Sequence, residues 1–293
     1  MALLANPAAR AGRAAADLQR VLARLREQGI RPEVLAADSA GAATEAARRA
    51  VSSGATRLFV LGGDGIMHLA AGALVGTPTV LGAIPAGTGN DFARALRLLT
   101  GDLEQRVDTA LLEPAAIDVI DAAGRTALTS VIAGFPSTVN ARANNMSFPK
   151  GTARYTIATL LELPRMRPAD YRLVLDGEAQ DIRAAVVVVA NTRFFGAGMD
   201  ICPGADPTDG LLDVCIVGDV RRLELLRSFQ KVKTGSHIDH PGVTMFRASE
   251  VAVEGGGYVR ADGEAFGGLP ISLRVAPAAL HVAGASARRD DRV

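Results

Sequence analysis

The chain has no tryptophan, and aromatic residues make up only 4% of it. That scarcity argues against the aromatic platforms on which proteins stack nucleic-acid bases, so no nucleic-acid partner is expected. Cysteine is almost absent too. Cys202 and Cys215 are the only two and cannot build a disulfide framework, and Cys215 lies in the apolar run Leu211 to Val217, where a buried free thiol is expected. No apolar stretch approaches the length of a membrane span, and the run before Pro7 is too short for a signal-peptide core. A cytoplasmic protein is expected on these grounds. A net charge of +1 carries no sign of a strongly charged partner. Neither a Gly-x-x-x-x-Gly-Lys-Ser/Thr loop nor the catalytic loop of protein kinases is present, so neither of those ATP chemistries is expected.

What is present is enough chain, 293 residues with 48% apolar, for two domains. Ala2 to Ala5 reads as a strand ending at Asn6-Pro7, and Arg10 to Gln28 as a helix with Leu18, Val21, Leu22 and Leu25 on one face. Pro32 to Ala36 and Ala40 to Ser53 repeat the pair, followed by strands Leu58 to Leu61 and Thr79 to Ile84. This alternation predicts an α/β fold whose N-terminal domain carries a parallel sheet, with ligands at the carboxyl ends of its strands. A helix from Leu103 to Leu112 closes that domain. Beyond Ala116 to Val119 the pattern changes to short strands: Ala127 to Ala133, Tyr171 to Leu175, Ile182 to Ala190, Leu212 to Val217, Glu250 to Glu254, Tyr258 to Ala261 and Ile271 to Val275. Gly, Pro and Asp turns such as Asp176-Gly177 separate them, which predicts a second, mainly antiparallel β domain. The expected division is 1–120, 121–276 and a C-terminal segment 277–293 that returns to the first domain through Leu280 to Val282.

Two strand ends stand out. Leu58 to Leu61 breaks into Gly62-Gly63-Asp64-Gly65, and Thr79 to Ile84 into Pro85-Ala86-Gly87-Thr88-Gly89-Asn90-Asp91. Each loop opens a helix, and paired glycine loops at helix N-termini make an anion cradle. An acid in each loop, Asp64 and Asp91, does not suit a phosphate unless a cation lies between, which points to Mg²⁺. Thr88 offers a hydroxyl to phosphate, and Asn90 is placed to cap the helix that Asp91 begins, with Phe92 and Leu96 turned inward. His68, in the first turn of the preceding helix, reads either as a ligand or as a polar contact. Gly151 to Met166 reads as a helix, with Arg142, Lys150, Arg154, Arg165 and Arg167 around it. It would either cover a sheet or rest on an anionic lipid surface.

The GGDG element together with Ile84 to Arg94, IPAGTGNDFAR, resembles the diacylglycerol kinase catalytic domain family, the bacterial soluble lipid kinases. Sphingosine kinases, NAD kinases and phosphofructokinases lie in the same superfamily. The resemblance covers most of the chain and places the active site in a cleft between the two domains. It implies nucleotide contact from Asn6, Pro7, Ala8, Ala9 and Arg10, although the Ser-Gly that usually follows Asn-Pro is missing. It implies the same for Gly62, Gly63, Asp64, Gly65, Ile66, Met67 and His68, and for Gly87, Thr88, Gly89 and Asn90. The family commonly continues GGDGT into Asn-Glu, where this chain has Ile66, Met67, His68 and Leu69. Where relatives place a Thr after the second strand, this chain has Ala37, with Ser39 nearby.

Asp118, in the sequence Ile117-Asp118-Val119, matches an acid of the metal-and-water network, with Asp64 and Asp91. Asp206, Asp209 and Leu211 match positions whose backbone oxygens hold a structural Mg²⁺. The segment Asp262-Gly263-Glu264 matches the catalytic acids, and if it is extended both carboxylates face one side. The reaction implied is ATP- and Mg-dependent phosphorylation of a lipid hydroxyl, diacylglycerol to phosphatidic acid, with Asp262 or Glu264 accepting the hydroxyl proton. Other acceptors in the superfamily (a sphingoid base, a glycolipid or NAD) and a non-catalytic nucleotide or lipid sensor are the rival readings. The expected partner is a diacylglycerol-like lipid met at a membrane surface by peripheral contact, and a homodimer is left open.

Overall fold

Unbroken apolar runs build the first sheet. In a computed structural model, which describes residues 1–6, 13–146, 157–158, 161–162, 167–220 and 231–286, the chain divides into two units, Met1–Val119 with Pro277–Val293, and Ile120–Ala276. The first unit runs β1 (Ala2–Ala5), α1 (Arg13–Glu27), β2 (Glu33–Ala36), α2 (Ala40–Ser52), β3 (Arg57–Gly62), α3 (Asp64–Leu74), β4 (Val80–Pro85), α4 (Asp91–Ala95) and α5 (Leu103–Thr109), and β5 (Pro114–Ala122) leaves it. The strands lie parallel in the order β2, β1, β3, β4. Leu3, Leu4, Leu58, Phe59, Val60 and Ile84 are buried, as a parallel sheet covered on both faces requires.

On α1 the expected stripe of Leu18, Val21, Leu22 and Leu25 is buried. Arg20 pairs with Glu104, and Arg24 with Asp108, which fastens α1 to α5. Asp102 and Gln105 close a reciprocal capping box on α5. Ser39 caps α2 by accepting the N–H of Ala42 at 3.2 Å. The sequence supplies the reason, since a serine just before a helix is a favoured cap.

The second unit runs β6 (Arg125–Ala127), β7 (Ser130–Gly134), α6 (Phe135–Asn145), β8 (Ala169–Leu175), β9 (Glu178–Ala190), β10 (Phe194–Phe195), β11 (Met199–Asp200), β12 (Leu212–Gly218), β13 (Val243–Ala248), β14 (Glu250–Gly255), β15 (Tyr258–Ala261), β16 (Glu264–Gly268) and β17 (Ile271–Ala283). Its strands pair antiparallel in the order β16, β15, β7, β9, β8, β14, β17. The long β9 also pairs with β12, which pairs in turn with β13. Val131, Val187, Val189, Leu212, Val251 and Leu273 are among the side chains of its core. Cys202 and Cys215 are buried free thiols, and burial pushes both up, Cys215 to about 12.

Three departures from the sequence reading are local. The strand expected over Ala127 to Ala133 is two strands broken at Leu128-Thr129. Ile271 to Val275 and Leu280 to Val282 belong to one strand, whose far end meets β4 in parallel at Val282 and Leu81. The helix α6 was not anticipated. Of the helix expected over Gly151 to Met166, most lies outside the described residues. Among the described residues, no helix is long and apolar enough to cross a membrane.

Candidate active site

The two glycine loops meet. The N–H of Ala86 donates to the carbonyl of Gly62 at 2.7 Å, carrying the β3–β4 ladder one step past the strands. Gly63 and Gly87 then stand against each other. A Cβ on Gly87 would lie 2.6 Å from the Cα of Gly63 and 2.7 Å from Asn90 Oδ1, closer than side chains pack. Gly87 has no room for a methyl group, and a Cβ on Gly63 would lie a tight 3.1 Å from the Cα of Gly87.

Asn90 stands at the N-cap of α4 with left-handed backbone, φ 55°, and makes no side-chain cap. Its amide turns back instead. Oδ1 accepts the N–H of Gly87 at 3.0 Å, and Nδ2 donates to the Gly87 carbonyl at 2.9 Å. The capping expectation is corrected accordingly: a left-handed residue aims its side chain at the loop behind it. The Gly87 amide is engaged by this bond, so Gly87 contributes by its lack of a side chain.

Asp64 begins α3, and its Oδ1 accepts the N–H of Phe92 at 3.2 Å. This bond ties the first turn of α3 to the first turn of α4, where Asp91 is 8% exposed. The structure thus brings Gly62, Gly63, Asp64, Gly87, Asn90 and Asp91 together. Thr88 is exposed at the loop's tip, with Gly89 beside it half-buried. Gly65 and Ile66 follow in the first turn of α3, where Gly63 supplies no side-chain cap. Ile66 lies over Gly62, its Cγ2 only 2.4 Å from where a Cβ there would fall. Met67 faces the core and His68 is half-buried. Phe92 and Leu96 are buried as expected.

Sequence reasoning missed Arg106. From α5 it donates through Nη1 to the carbonyl of Pro85 at 2.7 Å and through Nη2 to that of Gly101 at 3.1 Å. It braces the point where β4 turns into the second loop. The only hint in the sequence is an arginine beside the buried Val107. Asn6 is half-buried just past β1, whereas Pro7, Ala8, Ala9 and Arg10 lie outside the described residues.

Asp118, on β5, is 3% exposed. Its Oδ1 accepts the N–H of Ala278 at 2.8 Å, at a residue with left-handed φ of 48°. The carboxylate therefore ties β5 to β17 at Ala278, a contact that the motif did not reveal.

In the second unit, Asp262-Gly263 is a two-residue hairpin turn and not an extended segment. Ala261 pairs with Glu264, and both turn residues have positive φ, 50° and 83°, as a type I′ turn requires. Extended geometry would have put both carboxylates on one side; the turn separates them. Asp262 Oδ2 accepts the Leu128 N–H at 2.8 Å. Oδ1 accepts the Thr129 N–H at 2.8 Å, the Thr129 hydroxyl at 2.6 Å and the Ser130 N–H at 3.3 Å. That grip breaks the strand at Leu128-Thr129. Glu264 is exposed.

Asp206 and Asp209 close the loop before β12. Asp206 Oδ1 accepts the amide and the hydroxyl of Thr208 at 3.0 and 2.7 Å. Asp209 Oδ1 accepts the Leu211 N–H at 3.0 Å, and its Oδ2 pairs with Arg247. Both carboxylates serve the turn. At the base of the loop Arg193 pairs with Asp200, and His237, 2% exposed, sets Nε2 3.0 Å from the Ile201 carbonyl. Among the described residues, no three His, Cys, Asp or Glu side chains cluster closely enough to hold a metal by themselves.

Residues 1–122 match the diacylglycerol kinase catalytic domain, and residues 129–284 match the YegS C-terminal NAD kinase beta sandwich-like domain. The chain belongs to the bacterial diacylglycerol kinase-like family. It is 38% identical over 288 residues to a diacylglycerol kinase of Mycobacterium tuberculosis, covering 95% of this chain and 93% of that protein. A Bacillus subtilis diacylglycerol kinase is 28% identical over 267 residues, covering 86% of each. A crystal structure from Bacillus anthracis strain Sterne, provisionally assigned as a diacylglycerol kinase, shares the fold with a TM-score of 0.81 at 20% identity, covering 96% of this chain and 93% of that one. The protein is therefore a kinase with a nucleotide substrate. Its uncapped α3 N-terminus and side-chain-free Gly63 fit a phosphate chain, because the first-turn amides of a helix favour anions and glycine lets the backbone approach.

Proposed function

We propose that this kinase transfers the γ-phosphoryl group of ATP, with Mg²⁺, to the hydroxyl of diacylglycerol, giving phosphatidic acid. The observation that carries the reading is the mutual packing of Gly63 and Gly87, which fixes two phosphate-binding loops as one surface and draws Asp64 and Asp91 to it. The names of the Mycobacterium and Bacillus relatives support diacylglycerol as acceptor.

Amides of Gly63, Gly65 and Ile66 at the start of α3 orient the phosphates, with Thr88 at the second loop. Asp64 and Asp91 would hold Mg²⁺ and its waters, with Asp118 in the same network as the family resemblance implies. When bound, Mg²⁺ supplies neutralisation of the charge on the transferring phosphoryl group. Asp262 or Glu264 would accept the hydroxyl proton. Asp262 is held by four hydrogen bonds, which orient it but lower its basicity, whereas Glu264 is exposed. Asp206, Asp209 and Leu211 would bind a structural Mg²⁺ through their carbonyl oxygens.

The test is to incubate the purified protein with γ-labelled ATP, Mg²⁺ and an acceptor panel of diacylglycerol, a sphingoid base and a glycolipid in mixed micelles, and NAD in solution. Labelled phosphatidate is the expected product. Label in another acceptor would reassign the substrate, and ATP bound without any labelled product would make the protein a sensor.

A further inference from the structure

Within the first unit, the second glycine loop is fastened from behind as well as in front. Ala86 sends its N–H to Gly62 on β3, and successive peptide groups of a strand face opposite edges, so the carbonyl of Pro85 faces the other edge of β4. There β17 meets β4 at Val282 and Leu81 and ends at Ala283, short of Pro85. The Pro85 carbonyl is taken instead by Arg106, whose Nη1 donates to it at 2.7 Å. Nη2 of the same guanidinium donates to the Gly101 carbonyl at 3.1 Å.

Pro85 and Gly101 bracket the segment that holds Gly87, Thr88, Asn90 and Asp91. One planar guanidinium therefore closes the neck of that segment, with an arm on each end. The acids of α5 are engaged elsewhere: Glu104 and Asp108 pair with Arg20 and Arg24 of α1, and Asp102 caps the helix. Arg106 Nε is buried with no acceptor among the described residues, so the two terminal nitrogens make the whole contact.

We infer that Arg106 is a positioning residue for the nucleotide, holding the second glycine loop where the phosphate chain meets it. The inference rests on the reading of the two glycine loops as the phosphate site. In front, Gly63 packs on Gly87, and Asp64 accepts the Phe92 N–H. Those contacts hold the inner part of the segment, and the fork of Arg106 holds its ends. A rigid fork of donors is a property of arginine that the single ammonium of lysine lacks, and charged donors make the stronger hydrogen bonds. Positioning of this kind is worth much, since a shift of about 1 Å in a binding group can cost about a hundredfold.

The experiment measures the Kd for ATP with Mg²⁺ by calorimetric titration, and the KM values for ATP and lipid in phosphatidate formation, in wild type, Arg106→Met, Arg106→Lys and Arg24→Gln, with thermal unfolding alongside. Arg24→Gln is the control, because it loosens α5 through the pair with Asp108 and leaves the carbonyls of Pro85 and Gly101 to Arg106. Arg106→Met should raise both the Kd and the KM for ATP about tenfold and leave the lipid KM unchanged. Arg106→Lys, which keeps the charge and loses the fork, should raise them about threefold. Arg24→Gln should lower the melting temperature with the Kd for ATP as in the wild type. Should the methionine variant fail to fold, the lysine variant decides by the same measure. An ATP Kd unchanged in the Arg106 variants, or raised equally in Arg24→Gln, would overturn the positioning role. A wild type that binds ATP and forms no phosphatidate would overturn the proposed reaction, while the titration still decides the role of Arg106. A wild type that binds no ATP would overturn the phosphate site and this inference with it.

Discussion

Gly63 and Gly87 touch backbone to backbone, so that a Cβ on Gly87 would fall 2.6 Å from the Cα of Gly63. Glycine is required here by space, since neither residue has positive φ. Gly87→Ala should destabilise the protein by about 1–3 kcal/mol, the usual cost of forcing a methyl into a packed site. Gly72 is the control. It lies inside α3 with nothing within 4 Å of its would-be Cβ, and Gly72→Ala should stabilise the helix by about 0.5–1 kcal/mol. Urea unfolding of the two variants should show opposite shifts in midpoint.

Asp262 and Glu264 should separate cleanly in stability. Replacing Asp262 by Asn puts an amide nitrogen against backbone donors and should cost about 1–3 kcal/mol. Glu264→Gln, at an exposed position, should stay within about 0.5 kcal/mol of wild type. Thermal unfolding read with turnover distinguishes lost chemistry from a lost clamp. Equal stability of the two variants would count against the hydrogen bonds of the turn.

His237 predicts a pH dependence of stability. Burial lowers its proton affinity from the ordinary value of 6.5, against the smaller opposing effects of the Ile201 carbonyl and of Asp200 and Asp239. A histidine whose folded value is depressed binds more protons when unfolded. The stability it confers is therefore present above pH 6.5 and lost as pH falls below it. The melting temperature should drop between pH 7.5 and 5.5, and the drop should be shallower in His237→Gln, which cannot titrate. Parallel curves for the two proteins would contradict this.

The parallel sheet and its loops could be read from the sequence because their physics is local. Four apolar residues from Leu58 to Leu61 followed by glycines specify a buried strand and a tight turn without reference to anything distant. The acids were harder. Asp-Gly suits both an extended strand and a type I′ turn, and what decides at Asp262 is its long-range grip on Leu128 and Thr129, more than 130 positions away in the chain. Asn90 misled for a related reason. Asparagine favours both helix caps and left-handed backbone, and only the contact between the loops selects the second. Arg106 carried almost no signal, since a brace for one carbonyl leaves no motif.

The most direct measurement is the KM for ATP in Mg-dependent phosphatidate formation at saturating diacylglycerol, compared among wild type, Gly87→Ala and Gly72→Ala. If the packed loops hold the triphosphate, Gly87→Ala should raise that KM by at least about tenfold, equivalent to about 1.4 kcal/mol of binding, while Gly72→Ala leaves it unchanged. An ATP KM that is the same in all three proteins, or no phosphatidate from the wild type, would contradict it.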